Sequence, residues 1–116
     1  MKALILAGAL AVLADPALAD EAVDQTRSDV RCFVAMSVMA RNETYKQWGT
    51  FGVFYYTGRL QGRDPSIDLK EAIKREVRSL APGEYNAEVK RCSDALGEQS
   101  RALEDLKPQA PRGVGR

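Results

Sequence analysis

Cys32 and Cys92 are the side chains of this sequence with the clearest capacity for covalent chemistry. They do not form a C-x-x-C pair and no activating motif adjoins either one, so redox-active thiols lack their usual setting. An even cysteine count in a short chain reads as one disulfide, with two free thiols as the alternative. The bond would close a loop of about 60 residues and remove on the order of 4 kcal/mol of unfolded-state entropy. Histidine is absent, which excludes Ser-His-Asp and Cys-His catalysis and the commonest zinc ligand sets. Carboxylate pairs are present, Glu84 with Glu88 and Glu104 with Asp105, but they fall where an exposed helix face is expected. No glycine-rich phosphate loop, nucleophile elbow, metal-ligand spacing or haem attachment motif occurs. The expectation is a protein that is not an enzyme and holds no cofactor or metal.

The remaining candidate chemistry is recognition. All aromatic residues except Phe33 and Tyr85 fall between Tyr45 and Tyr56. On a helix they cannot share one face: Trp48, Phe51 and Tyr55 lie together, while Phe54 and Tyr56 turn away. One reading is a central helix packed on several sides. The sharper reading is an exposed patch for a protein partner or client, formed by Trp48, Phe51, Tyr55, Tyr56 and Arg59, residue types enriched in binding hot spots. Gly58 and Gly62 stand four apart and read as a helix-packing device. Arg59, Arg63 and Asp64 read as a solvated turn in preference to an ionic cluster.

These residues need elements to position them, and helical periodicity dominates. A first helix is expected over 26–41, with Thr26 and Asp29 as a capping pattern ahead of the apolar run from Cys32 to Ala40. A second should start at Thr44, where Thr44 and Gln47 form a T-x-x-Q box, and run to about Leu60, followed by a turn over 62–65. Residues 50–57 are rich in strand formers, but a lone strand would have no partner, so helix is expected there. Asp68 and Glu71 open a third helix, or Asp64-Pro65 a turn earlier, with Leu69, Ala72, Ile73, Val77 and Leu80 on its apolar face. Lys70, Lys74, Arg75 and Arg78, paired with Glu71 and Glu76, should decorate its outer side. Ala81-Pro82-Gly83 ends it. The last helix carries Tyr85, Val89, Cys92, Leu96, Gln99, Leu103 and Leu106 at regular 4-3 spacing. The fold expected is an all-α, four-helix domain over 20–106, its first and last helices joined by Cys32–Cys92, with a disordered basic tail over 107–116.

The N-terminus indicates where the protein works. Lys2, the apolar run Ala3–Ala14 and the small residues of Ala17-Leu18-Ala19 make a signal peptide over 1–19, cleaved before Asp20. The run is too short to span a bilayer, which needs ~20 apolar residues. A periplasmic location follows, where a disulfide persists. Lysine and arginine number 17 against 16 acidic residues, a balance unlike that of a general nucleic-acid binder.

Arg31-Cys32-Phe33, the segment F-G-V-F-Y-Y-T-G-R-L-Q-G-R-D-P over 51–65, and Val89-Lys90-Arg91-Cys92 resemble an uncharacterised family of small exported all-helical proteins of Gram-negative bacteria. More loosely, the leader, the helical domain and the long-range disulfide are similar to HdeA-type acid-stress chaperones and to periplasmic immunity proteins. The resemblance implies no activity; the function expected is protein binding by a monomer or homodimer. One form is an acid-conditional periplasmic chaperone, whose aromatics over 45–56 would meet clients in acid. The alternatives are a specific inhibitor, immunity-type or accessory-subunit binder, and a structural envelope protein dimerising through the 85–106 stripe.

Overall fold

The computed structural model describes residues 15–106. It contains four helices, α1 (Pro16–Met39), α2 (Lys46–Arg63), α3 (Leu69–Ser79) and α4 (Glu84–Glu104), with no strand among the described residues. The apolar run of the expected signal peptide, within 1–14, and the expected basic tail over 107–116 lie outside them.

α1 begins well before Thr26. Asp15 accepts a hydrogen bond from the Ala17 amide and Pro16 occupies the first helical position, where its missing N–H costs nothing. Nothing between Ala17 and Gln25 breaks a helix, so the chain runs through the expected cleavage point, and Thr26 and Asp29 are mid-helix residues instead of caps. Residues 15–25 are all exposed. From Val30 to Met36 the helix turns a buried face inward.

The T-x-x-Q box does not form. Asn42 takes the Thr44 amide on its side chain, and α2 starts after Tyr45, which makes no side-chain cap. The segment over 50–57 is helical. Thr50 and Thr57 donate their hydroxyls to the carbonyls of Lys46 and Val53 one turn back. α2 stops at Arg63, just before Asp64-Pro65. Asp68 caps α3 by accepting from the Glu71 amide at 3.0 Å, so the later of the two expected starts is the one used. Glu71 turns outward to Lys74.

α1 is the hub: α2, α3 and α4 each pack chiefly on α1. The approach of α2 depends on two glycines. A Cβ at Gly49 would collide with the backbone of Met39 and Ala40, and one at Gly52 with the Met36 side chain. Gly58 and Gly62, the expected packing pair, face open space instead.

The core divides in two. Cys32, Ala35, Met36, Tyr56, Cys92 and Leu96 form one cluster, flanked by Trp48, Tyr55 and Val89. Val30, Leu60 and Ala72 form the other, flanked by Ile67, Leu69 and Ile73. The stripe on α4 is buried only in part: Cys92 and Leu96 are sealed, while Leu103 and Leu106 are more than half exposed.

Candidate functional site

Two carboxylates are buried, one at each contact that α1 makes with α2 and α3. Asp29 on α1 is 5% exposed and Glu76 on α3 is 2% exposed. A carboxylate in that setting must be paired and hydrogen-bonded or it will not stay ionised. Both are paired in the same way, by two arginines four residues apart on the facing helix. Arg59 and Arg63 of α2 reach Asp29 Oδ2 at 3.0 and 2.7 Å. Arg27 and Arg31 of α1 reach Glu76 Oε1 and Oε2, each at 3.0 Å. Thr26 also accepts from Arg63, and the Ser79 hydroxyl lies 3.2 Å from Glu76 Oε2.

The second cluster of the core lies between these two clamps. Val30 is next in sequence to Asp29 and Arg31, Leu60 lies between Arg59 and Arg63, and Ala72 sits one turn before Glu76. Glu76 was expected on the outer face of α3. It lies inside because it shares a side with Ala72 and Leu69, where Arg27 and Arg31 can meet it. Arg59 and Arg63 do form an ionic cluster, contrary to the solvated turn expected, but their partner is Asp29 and not Asp64.

The clamps set the local ionisation. Burial alone would raise the Glu76 carboxyl, but hydrogen bonds from Arg31 and Arg27, the Arg27 charge and the Ser79 hydroxyl outweigh it and hold the group below its ordinary value. The Glu76 hydrogen bond in turn raises Arg31. For Arg59, burial opposes the charge, but the hydrogen bonds to Asp29 and Tyr55 leave it raised.

α4 is held differently. The Cys32–Cys92 disulfide joins it to α1 with Cα atoms 5.3 Å apart, and both sulfurs are sealed from solvent. Around it, Arg91 donates to the Ser28 hydroxyl at 2.9 Å and pairs with Glu88. Glu88 lies 3.9 Å from the Cys92 sulfur. Cys32, Glu88 and Cys92 therefore come within reach of one ion, but sulfurs joined in a disulfide offer no thiolate to a metal.

The five candidate partner-binding residues separate. Trp48 is half-buried against the first cluster, and its ring centroid lies 5.9 Å from that of Phe51, which is 38% exposed. With Thr44, Gln47 and Ser100 these two line a shallow groove between α2 and α4. Tyr55 is half-buried beneath Arg59, whose guanidinium carbon lies 5.8 Å from the ring centre. Tyr56 is a core residue. Only 3% exposed, it meets Tyr55 edge-on and donates its hydroxyl to the Cys92 carbonyl at 3.2 Å. Tyr56 therefore offers no surface to a partner, whereas Phe54, which was not a candidate, is 73% exposed.

The sequence reading missed Asp29, Glu76, Arg27 and Arg31 as a unit. A signal was present: two arginine pairs at i, i+4 place like charges together on a helix, which is unfavourable unless an anion sits between them. Compared with known protein families, curated proteins and solved structures, the chain has no match.

Proposed function

We propose that this is an exported, non-enzymatic protein-binding domain whose binding surface opens in acid, in the manner of a conditional periplasmic chaperone. The observation that carries the reading is the division of the core. One cluster contains the disulfide and the other lies between the two arginine–carboxylate clamps. The leader sequence and the buried disulfide support export, since such a bond persists in an oxidising compartment.

The sign of the pH effect follows from Glu76. A carboxyl lowered in the folded state adds stability above its unfolded value, near 4.5, and that stability is lost as pH falls through the lower folded value. Protonating Glu76 in stronger acid removes the anion that Arg27 and Arg31 share, leaving Arg31 only its longer contact with Glu88 at 3.6 Å. α3 then has reason to separate from α1, uncovering Val30, Leu60, Ile67, Leu69 and Ile73. The disulfide holds α4 and the other half of the core together throughout. On this reading the acid-exposed surface is aliphatic, and the 45–56 aromatics are not what acid uncovers: Tyr56 stays in the disulfide cluster and Phe54 is exposed at neutral pH.

Light scattering of an acid-labile client at pH 2.5 and pH 7 tests the function. The protein should suppress aggregation at the lower pH only, and Leu69→Ser with Ile73→Ser should weaken that suppression. Equal suppression at both pH values, or none at either, contradicts the reading.

A further inference from the structure

The solvent face of α2 is chemically unlike the other exposed faces. Gln47, Phe51, Phe54, Gly58, Gln61 and Gly62 lie within roughly 100° of arc, all are exposed, and none is charged. The arginines of the helix, Arg59 and Arg63, are turned inward to Asp29. By contrast, α1 displays Asp20, Glu21 and Asp24, and α3 displays Lys70, Lys74, Arg75 and Arg78, a basic excess that the exposed Glu71 offsets only in part. A two-fold axis sets each residue near its own copy, so those charged faces would repel themselves while the α2 face would not. The exposed leucines at the end of α4 and just beyond it, Leu103 and Leu106, stand beside Glu104 and Asp105.

We propose that the outer face of α2 is the interface of a homodimer, with two α2 helices antiparallel. The face is self-complementary in that arrangement alone. With the two-fold axis near the level of Tyr56 and Thr57, Phe54 of one copy falls opposite Gly58 of the other, and Phe51 falls opposite Gly62. A parallel pair would set ring against ring and leave the glycines facing each other. Neither glycine serves the monomer, because a Cβ at Gly58 or Gly62 would meet nothing within 4 Å, and glycine is a poor residue for a helix interior. The four phenylalanine rings offer on the order of 450 Å² of exposed surface, a ring being worth about 200 Å² in full. With the flanking glutamines and threonines the contact stays at the low end for protein pairs, which makes the dimer concentration-dependent. The dimer does not depend on the acid-conditional reading and forms at neutral pH.

Sedimentation of the purified, oxidised protein at pH 7, from low micromolar to several hundred micromolar, tests this. The native chain should pass from monomer to dimer over that range. Gly58→Leu fills the seat of the Phe54 ring and should raise the dissociation constant at least roughly tenfold. Its melting temperature at low concentration should not fall, since the site is open and leucine is the better helix former. Phe54→Glu should likewise leave a monomer. A native chain that remains monomeric throughout overturns the proposal, as does a dimer that either variant leaves intact.

Discussion

A carboxylate sealed from water and gripped by two guanidiniums has no cheap alternative state. Glu76 cannot hydrate while α3 is docked, and it holds Arg27 and Arg31, of which Arg27 is half exposed and Arg31 largely covered. Replacing Glu76 with Gln keeps the volume and removes the anion, leaving Arg27 without this partner and Arg31 with only its contact to Glu88 at 3.6 Å. Breaking a buried pair in this way costs about 3 kcal/mol, the low end of the range because Arg27 keeps much of its water. We expect the urea midpoint of Glu76→Gln to drop at pH 7. The gap from the native protein should then narrow as pH falls below about 4.5, where the native chain loses the same interaction. A constant gap across that range would remove Glu76 from the acid response. The arginine spacings were legible in the sequence, but the burial of Glu76 was not. It depends on which side of α3 meets α1, and α3 carries charge over most of its circumference.

At the scale of the helix, the four glycines of α2 divide into opposite pairs. Gly49 and Gly52 are pressed against α1, while Gly58 and Gly62 touch nothing. Gly49→Ala must displace the backbone of Met39 and Ala40, so it should destabilise by more than about 1 kcal/mol despite the gain in helix propensity. Gly58→Ala, measured at low micromolar concentration, should stabilise by about 0.5 to 1 kcal/mol. Thermal melts of the two variants should therefore shift in opposite directions, and shifts of the same sign would contradict the packing described. Periodicity and local capping made the four helices legible, and the cap at Asp68 was read correctly because it needs only residues in sequence contact. Contact with α1 decides which glycines are needed, and a G-x-x-x-G spacing carries no information about that contact. The start of α1 was missed because its first turns are held by propensity and the Asp15-Pro16 cap, without the apolar stripe that marks a packed helix.

For the molecule as a whole, the central point is that its two halves are held by different forces. The half around Cys32–Cys92 is closed by a covalent bond that acid does not touch. The half around Val30, Leu60 and Ala72 is closed by two ionic clamps, one of them centred on Glu76, whose carboxyl is held below its ordinary value. The disulfide was legible from cysteine count alone, and it ties the first and last helices as expected. The second half was legible only as apolar residues at helical spacing, since Asp29 and Glu76 lie far apart in sequence from the arginines that hold them. Small proteins commonly loosen in acid as a whole; the function proposed above requires this one to loosen in one half. The most direct measurement is amide hydrogen exchange, resolved by segment, on the oxidised protein at pH 7 and pH 2.5, corrected for the intrinsic rate at each pH. The account predicts that α3 loses protection at pH 2.5 while residues around Cys32, Met36, Cys92 and Leu96 keep theirs. Equal loss in both halves, or full protection of α3 at pH 2.5, would contradict it.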